Sequence, residues 1–182
     1  DELDSATIDR IAGEAKTSPD GKALTKVFVT PKGHDLQQLL QKFLLGAVAF
    51  SQGVDDYLDD DLDGKGLRSQ HVTPDKDGAA FTTLEHQWDE GFGYFGAARD
   101  FGDYTDDEIA GKGGRDGWKS GYHDTNGDGK IDLLSEMNTG HALNCAKRDR
   151  GSKDLAPTDF TKDAFTAFLR GRALLAATAG GA

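Results

Sequence analysis

From Asp124 onward, oxygen-bearing side chains recur at every second position. Asp124, Asn126 and Asp128 take positions 1, 3 and 5 of a loop, with Gly129 at 6, Ile131 at 8 and Asp132 at 9. A chain wrapped around a hard cation needs this spacing, because every second side chain faces inward and calcium takes about six to eight oxygens. Lys130, at position 7, contributes through its backbone carbonyl, and glycine at 6 permits the sharp turn. An EF-hand loop carries a bidentate carboxylate at position 12; here Ser135 stands there and Glu136 comes one residue late. Either the loop is one residue longer and Glu136 closes the shell, or Glu136 serves another partner and water completes the coordination. The metal candidates are therefore Asp124, Asn126, Asp128, Lys130, Asp132 and Glu136, with calcium as the cofactor. The competing reading is an Asp/Asn/Gly-rich turn that caps the next helix without a metal.

A second set lies at His86, Asp89, Glu90 and Gly93, spaced i, i+3, i+4 and i+7 on one helix face. A histidine with carboxylates one turn away resembles the arrangement by which helices supply metal ligands. A solvated polar face with a His–Glu pair has the same spacing. The HExxH pattern of zinc proteases is absent, no serine sits in a nucleophile elbow, and Gly91 and Gly93 do not follow a strand. Further along, Glu136, Asn138, His141 and Asn144 share a polar segment, so Glu136 or His141 could join His86 in one site. Asp149 lies among Lys147, Arg148 and Arg150 and is expected to pair with one of them. Cys145 reads as a small packed residue rather than a nucleophile.

The elements that must position these groups are helical. Residues 34–58 carry Leu36, Leu39, Leu40, Phe43, Leu44, Ala47, Phe50 and Val54 in a 3.6-residue rhythm, a one-sided stripe that calls for partner helices. Residues 79–97 place Phe81, Leu84, Trp88, Phe92 and Phe95 on a buried stripe. A short helix is expected at 105–110 with Thr105 as cap, another at 133–148 entered directly from the calcium loop, and a last one capped by Thr158 or Asp159. Residues 5–14 read as a short helix, 17–21 as a turn, and Val27 to Val29 as an apolar run too brief to classify. Asp59, Asp61, Asp63 and Gly64 mimic the calcium spacing but lack a closing carboxylate, so residues 55–66 read as a solvated acidic loop. The expectation is an all-α chain: a helical bundle with long Gly/Asp-rich loops, forming one domain over 1–182 that is part of a longer family domain.

The chain has 182 residues, with 21 basic against 32 acidic side chains and a formal charge of −11, which argues against nucleic acid and anionic membrane surfaces as partners. The single cysteine excludes an intrachain disulfide framework. No apolar run is long enough to span a bilayer.

Residues 84–96, 123–136 and 144–152 together resemble the bacterial domain-of-unknown-function family 4856, allied to the imelysin-like proteins. The resemblance runs from about His34 to the C-terminus. It implies a helical domain exported to the periplasm or held at the cell surface as a lipoprotein, with relatives associated with iron and haem uptake. The group's GxHxxE motif is met only in part: Leu84 stands where it has glycine, and Asp89 where it has glutamate. The leading expectation is a non-catalytic, exported binding protein clamped by calcium and linked to uptake of iron, haem or another metal. Its partners would be a metal ion or metal complex, or another cell-envelope protein. The alternatives are a metal-dependent hydrolase using His86 and Glu90, and a calcium-stabilised adhesion or assembly module.

Overall fold

The computed structural model describes residues 16–17, 20–21, 23–24, 34–73, 78–118 and 120–179. The helix expected at 5–14 and the run from Val27 to Val29 lie outside them. The described residues are predominantly helical, in agreement with the all-α class. The chain divides into two compact units, Asp1–Ala47 and Val48–Ala182.

In the first unit, β1 (Lys16–Thr17) pairs antiparallel with β2 (Ala23–Leu24), Lys16 opposite Leu24 and Thr17 opposite Ala23. Helix α1 (Leu36–Leu44) starts at Asp35, whose carboxylate accepts the Gln38 N–H at 3.1 Å. The chain then widens into a π-helix over Leu45–Asp56, and the Tyr57 N–H bonds to the Gln52 carbonyl, five residues back. Leu39, Leu40, Phe43, Leu44, Phe50 and Val54, all expected to be covered, are exposed.

The second unit is built around aromatic rings. Helix α2 (Thr83–Phe95) begins with a capping box: the Thr82 hydroxyl accepts the Glu85 N–H and the Glu85 carboxylate accepts the Thr82 N–H. It ends at Gly96, whose φ of +83° only glycine adopts without strain and whose missing side chain leaves room for the Thr139 carbonyl. Helix α3 (Asp106–Ile109) repeats the capping box with Thr105 and Glu108. Helix α4 (Gly140–Ser152) and helix α5 (Phe160–Thr178) complete the set. Phe95, Phe101, Tyr104, Ile109, Ala142 and Ala146 are buried between them. Phe92 and Phe168 meet edge-on at 5.3 Å, as do Phe101 and Phe165 at 5.2 Å, the geometry favoured by the ring quadrupole.

Phe81, expected on the buried stripe of α2, lies before its first turn and is exposed, and two further expectations need correction. The helix predicted from Leu133 starts seven residues later, at Gly140. Residues 133–136 form a single turn, closed by the Glu136 N–H on the Asp132 carbonyl, and residues 137–139 are then pinned: Asn138 donates its backbone N–H to the Gly121 carbonyl, its side-chain amide bonds the same carbonyl, and its Oδ1 accepts the Ala98 N–H at 2.7 Å. The second concerns Asp149, which pairs with none of its charged neighbours. It is buried in α4 and reaches across to the start of α5, accepting the N–H groups of Phe160 and Thr161 and the hydroxyls of Thr158 and Thr161. Asp159 occupies the N-cap position of α5 but makes no capping bond itself.

Helices α2 and α5 touch so closely that a β-carbon on Gly171 would overlap the Trp88 indole. That ring is held by its N–H bond to the Phe168 carbonyl at 3.1 Å and cannot swing aside freely. Gly171→Ala is expected to lower stability by about 1–2 kcal/mol, the overpacking cost less the better helix propensity of alanine. Urea unfolding followed by Trp fluorescence measures it; an equal or higher midpoint would show that the helices separate at no cost.

Candidate functional site

The glycine-rich connector between α3 and α4 is organised by two buried glutamates. Glu108 is wholly buried and gathers the backbone N–H groups of Thr105 and Arg115 together with the Arg115 guanidinium at 2.7 Å. The Arg115 contact, against the opposing effect of burial, holds its carboxyl down to about 2. Arg115 in turn lies 3.8 Å over the Trp118 ring, and Trp118 stacks on His123 with centroids 4.2 Å apart. Tyr104 closes this stack, 4.7 Å from Trp118, and donates its hydroxyl to the Glu136 carbonyl. Burial first of all pushes the Tyr104 phenol up to about 12.

Glu136 does for the next turn of chain what Glu108 does for the first. Its Oε1 accepts the Thr125 N–H and hydroxyl, each at 2.8 Å, and the Asn126 N–H at 3.2 Å; Oε2 accepts the Asp132 N–H at 3.0 Å. The Asp132 N–H, followed by the Thr125 hydroxyl, holds the carboxyl down to about 2. So the late carboxylate faces neither solvent nor α2: it fastens both ends of the loop 125–132 from within. The other side-chain oxygens also turn back onto the loop. Asp124 accepts the N–H groups of Gly127, Asp128 and Gly129, Asn126 accepts from Asp128, and Asp128 from Lys130. Gly129 makes the sharp bend at φ +79°.

On α2, His86 Nε2 and Glu90 Oε1 stand 3.7 Å apart on an exposed face, and the His86 ring stacks on Phe81. Asp89 is taken by Arg172 of α5 at 2.9 Å, and the same guanidinium reaches Glu85 at 2.6 Å. The structure does not bring these residues to the 124–136 loop. His141 lies elsewhere, half-buried beside Phe95 and Phe168 in a small apolar pocket. Cys145 is half-buried, and burial raises its thiol. Among the described residues, no three His, Cys, Asp or Glu side chains are grouped closely enough to hold a metal ion.

Residues 2–108 match the family described as Domain of unknown function (DUF4856). The chain belongs to this family. The DUF4856 match takes in His86, Asp89, Glu90 and Glu108 and stops short of the loop 124–136 and of α4 and α5. No curated protein and no solved structure matches the chain. Among the described residues, no helix is long and apolar enough to cross a membrane.

Sequence reasoning missed the Glu108–Arg115 pair and the Asp149 cap. Thr105 and Glu108 carry the T-x-x-E spacing of a capping box, which was the available signal for the first. Asp149 had none, because its partners lie on another helix.

Proposed function

We propose that this chain is an exported helical-bundle binding module in which an EF-hand-like loop over residues 124–136 takes calcium as a structural clasp. The reading rests on the inward turn of three alternate oxygen side chains, Asp124, Asn126 and Asp128, onto one loop. The donors are all oxygens, the set that suits a hard cation rather than a soft one. Asp124, Asp128 and Asp132, whose carboxylates are not grouped for a metal as they stand, would draw together around the ion with Asn126 and the Lys130 carbonyl, and water would fill the remaining positions. Glu136 stays with the four donors it already has and keeps the loop wound. Bound calcium supplies positive charge among carboxylates that otherwise repel one another. Loops of this weak kind fill at millimolar calcium, which places the working location outside the cytosol. Iron handling and hydrolysis stay outside this reading: His86 and Glu90 form one loose exposed pair, and Asp89 is held by Arg172.

Calcium at about 100 times its Kd is expected to stabilise the chain by about 2.7 kcal/mol over its chelator-treated form. Asp128→Ala abolishes that gain. Glu136→Gln, by contrast, lowers the melting temperature in chelator as well as in calcium, because it unpins the loop itself. Differential scanning calorimetry with and without calcium measures both, and a melting temperature indifferent to millimolar calcium in the parent chain would sink the proposal.

A further inference from the structure

A cleft of about 510 Å³ opens between α3, the end of α4 and the first turns of α5. It lies in the second unit, apart from the calcium loop. Its floor is aromatic, with Phe101 and Phe165, and its walls carry Asp106, Asp159, Lys153 and Lys162. That volume suits a small organic molecule, and an apolar floor with a few charged groups is the usual make-up of such a site.

The charges are incompletely matched. The Thr161 Oγ1 stands 3.0 Å from Asp149, 3.1 Å from Asp106 and 3.5 Å from Asp159, yet one hydroxyl has one proton to give. Asp149 has three further donors in Thr158, Phe160 and Thr161 N–H. The Asp106 carboxylate accepts no other hydrogen bond among the described residues, and that of Asp159, more than half exposed, adds only the Lys162 ammonium at 4.0 Å. Burial raises the Asp106 carboxyl, as expected of a carboxylate short of donors. A donor carrying positive charge would complete the arrangement. Lys153 and Lys162, both exposed at their tips and loosely held at 3.8 and 4.0 Å, are free to turn toward an anion.

The geometry points to a zwitterionic ligand of the amino-acid class, a free amino acid or a dipeptide. Its ammonium meets Asp106 and Asp159, its carboxylate meets Lys162 and Lys153, and its apolar side chain lies on Phe101 and Phe165. An ammonium offers several N–H donors where the Thr161 hydroxyl offers one, so it can bridge Asp106 and Asp159 at once in place of water.

Isothermal titration of the intact chain with L-phenylalanine, phenethylamine, 3-phenylpropionate and phenylalanylglycine tests this. L-phenylalanine or the dipeptide is expected to saturate, and the tighter of the two identifies the source. Phenethylamine should bind about tenfold more weakly than L-phenylalanine, having lost one charge-assisted contact, and 3-phenylpropionate weaker still. Asp106→Asn keeps an acceptor for Thr161 and removes the charge, so affinity falls at least about tenfold while the ligand-free melting temperature holds. Lys162→Ala, at an exposed position, should lower affinity for L-phenylalanine and leave phenethylamine unchanged. No saturation by any of the four, equal binding of 3-phenylpropionate, or full affinity in both variants would overturn the assignment.

Discussion

Glu108→Ala is expected to destabilise the chain by about 3 kcal/mol, the low end of what breaking a buried ion pair costs, since Arg115 is half exposed and water relieves part of its loss. The cost has identifiable sources. The N–H groups of Thr105 and Arg115 lose their acceptor, and the guanidinium loses its two contacts to Glu108 and keeps only the Asp103 carbonyl as an acceptor. The effect also travels: Trp118 stacks on His123, the residue before Asp124, so a released Arg115 loosens the entry to the loop 124–136. Arg115→Ala should cost less, because Glu108 keeps its two backbone donors. The double variant should then cost less than the sum of the two, as expected for residues in direct contact. Thermal unfolding should show a fall of roughly 10 °C for Glu108→Ala, given the per-residue entropy of unfolding. A fall of a degree or two would mean that the capping box and the Arg115 pair are dispensable.

Much of this arrangement was legible from local pattern, and the remainder has physical causes. Thr105 starts α3 as expected, because a cap is decided by residues within one turn of each other, while α2 starts at its Thr82 cap rather than at Ala79. The alternate oxygens of Asp124, Asn126 and Asp128 do fold back on their own loop, which is again a matter of a few neighbouring residues. Glu136 was visible as a carboxylate out of register, but its four donors could not be read from spacing. They depend on the chain leaving the single turn at 133–136 instead of continuing as a helix, which Asn138 enforces through Ala98 and Gly121, residues far away in sequence. Asp149 looked like one charge among cations on a helix end and is a buried cap for the next helix. In residues 34–58 the apolar rhythm was real, but rhythm cannot say where the hydrogen-bond spacing changes. Once it becomes i to i+5 at Leu45, residues three and four apart no longer lie above one another.

The same carboxylates make acid the condition to which this fold is most sensitive. Glu108 and Glu136 are held at about 2 against an ordinary 4.5, the first chiefly by the Arg115 side chain and the second chiefly by the Asp132 N–H. The Thr82 N–H lowers Glu85, and Asp149 is lowered despite its burial by the N–H groups of Thr161 and Phe160. A depressed folded pKa contributes stability that is present above the unfolded value and is lost as pH falls toward the folded one. The loss therefore begins below about pH 4.5 and continues down to about 2, the two values between which the unfolded chain binds protons the folded chain refuses. Asp106 works the other way: burial raises its pKa, so the folded chain protonates it sooner and gains a little as pH falls. Asp132 is also lowered and Asp59 also raised, so five carboxylates are lowered against two raised; Glu108 and Glu136 alone give an uptake of about two protons on unfolding near pH 3. Urea unfolding between pH 2.5 and 6, in chelator so that calcium release does not contribute, reads this number from the slope of stability against pH. Glu136→Gln should remove about one proton from it, since the amide cannot titrate. A parent chain whose stability is flat across that interval would mean that the N–H groups around Glu108 and Glu136 hold the protonated acids as well as they hold the anions.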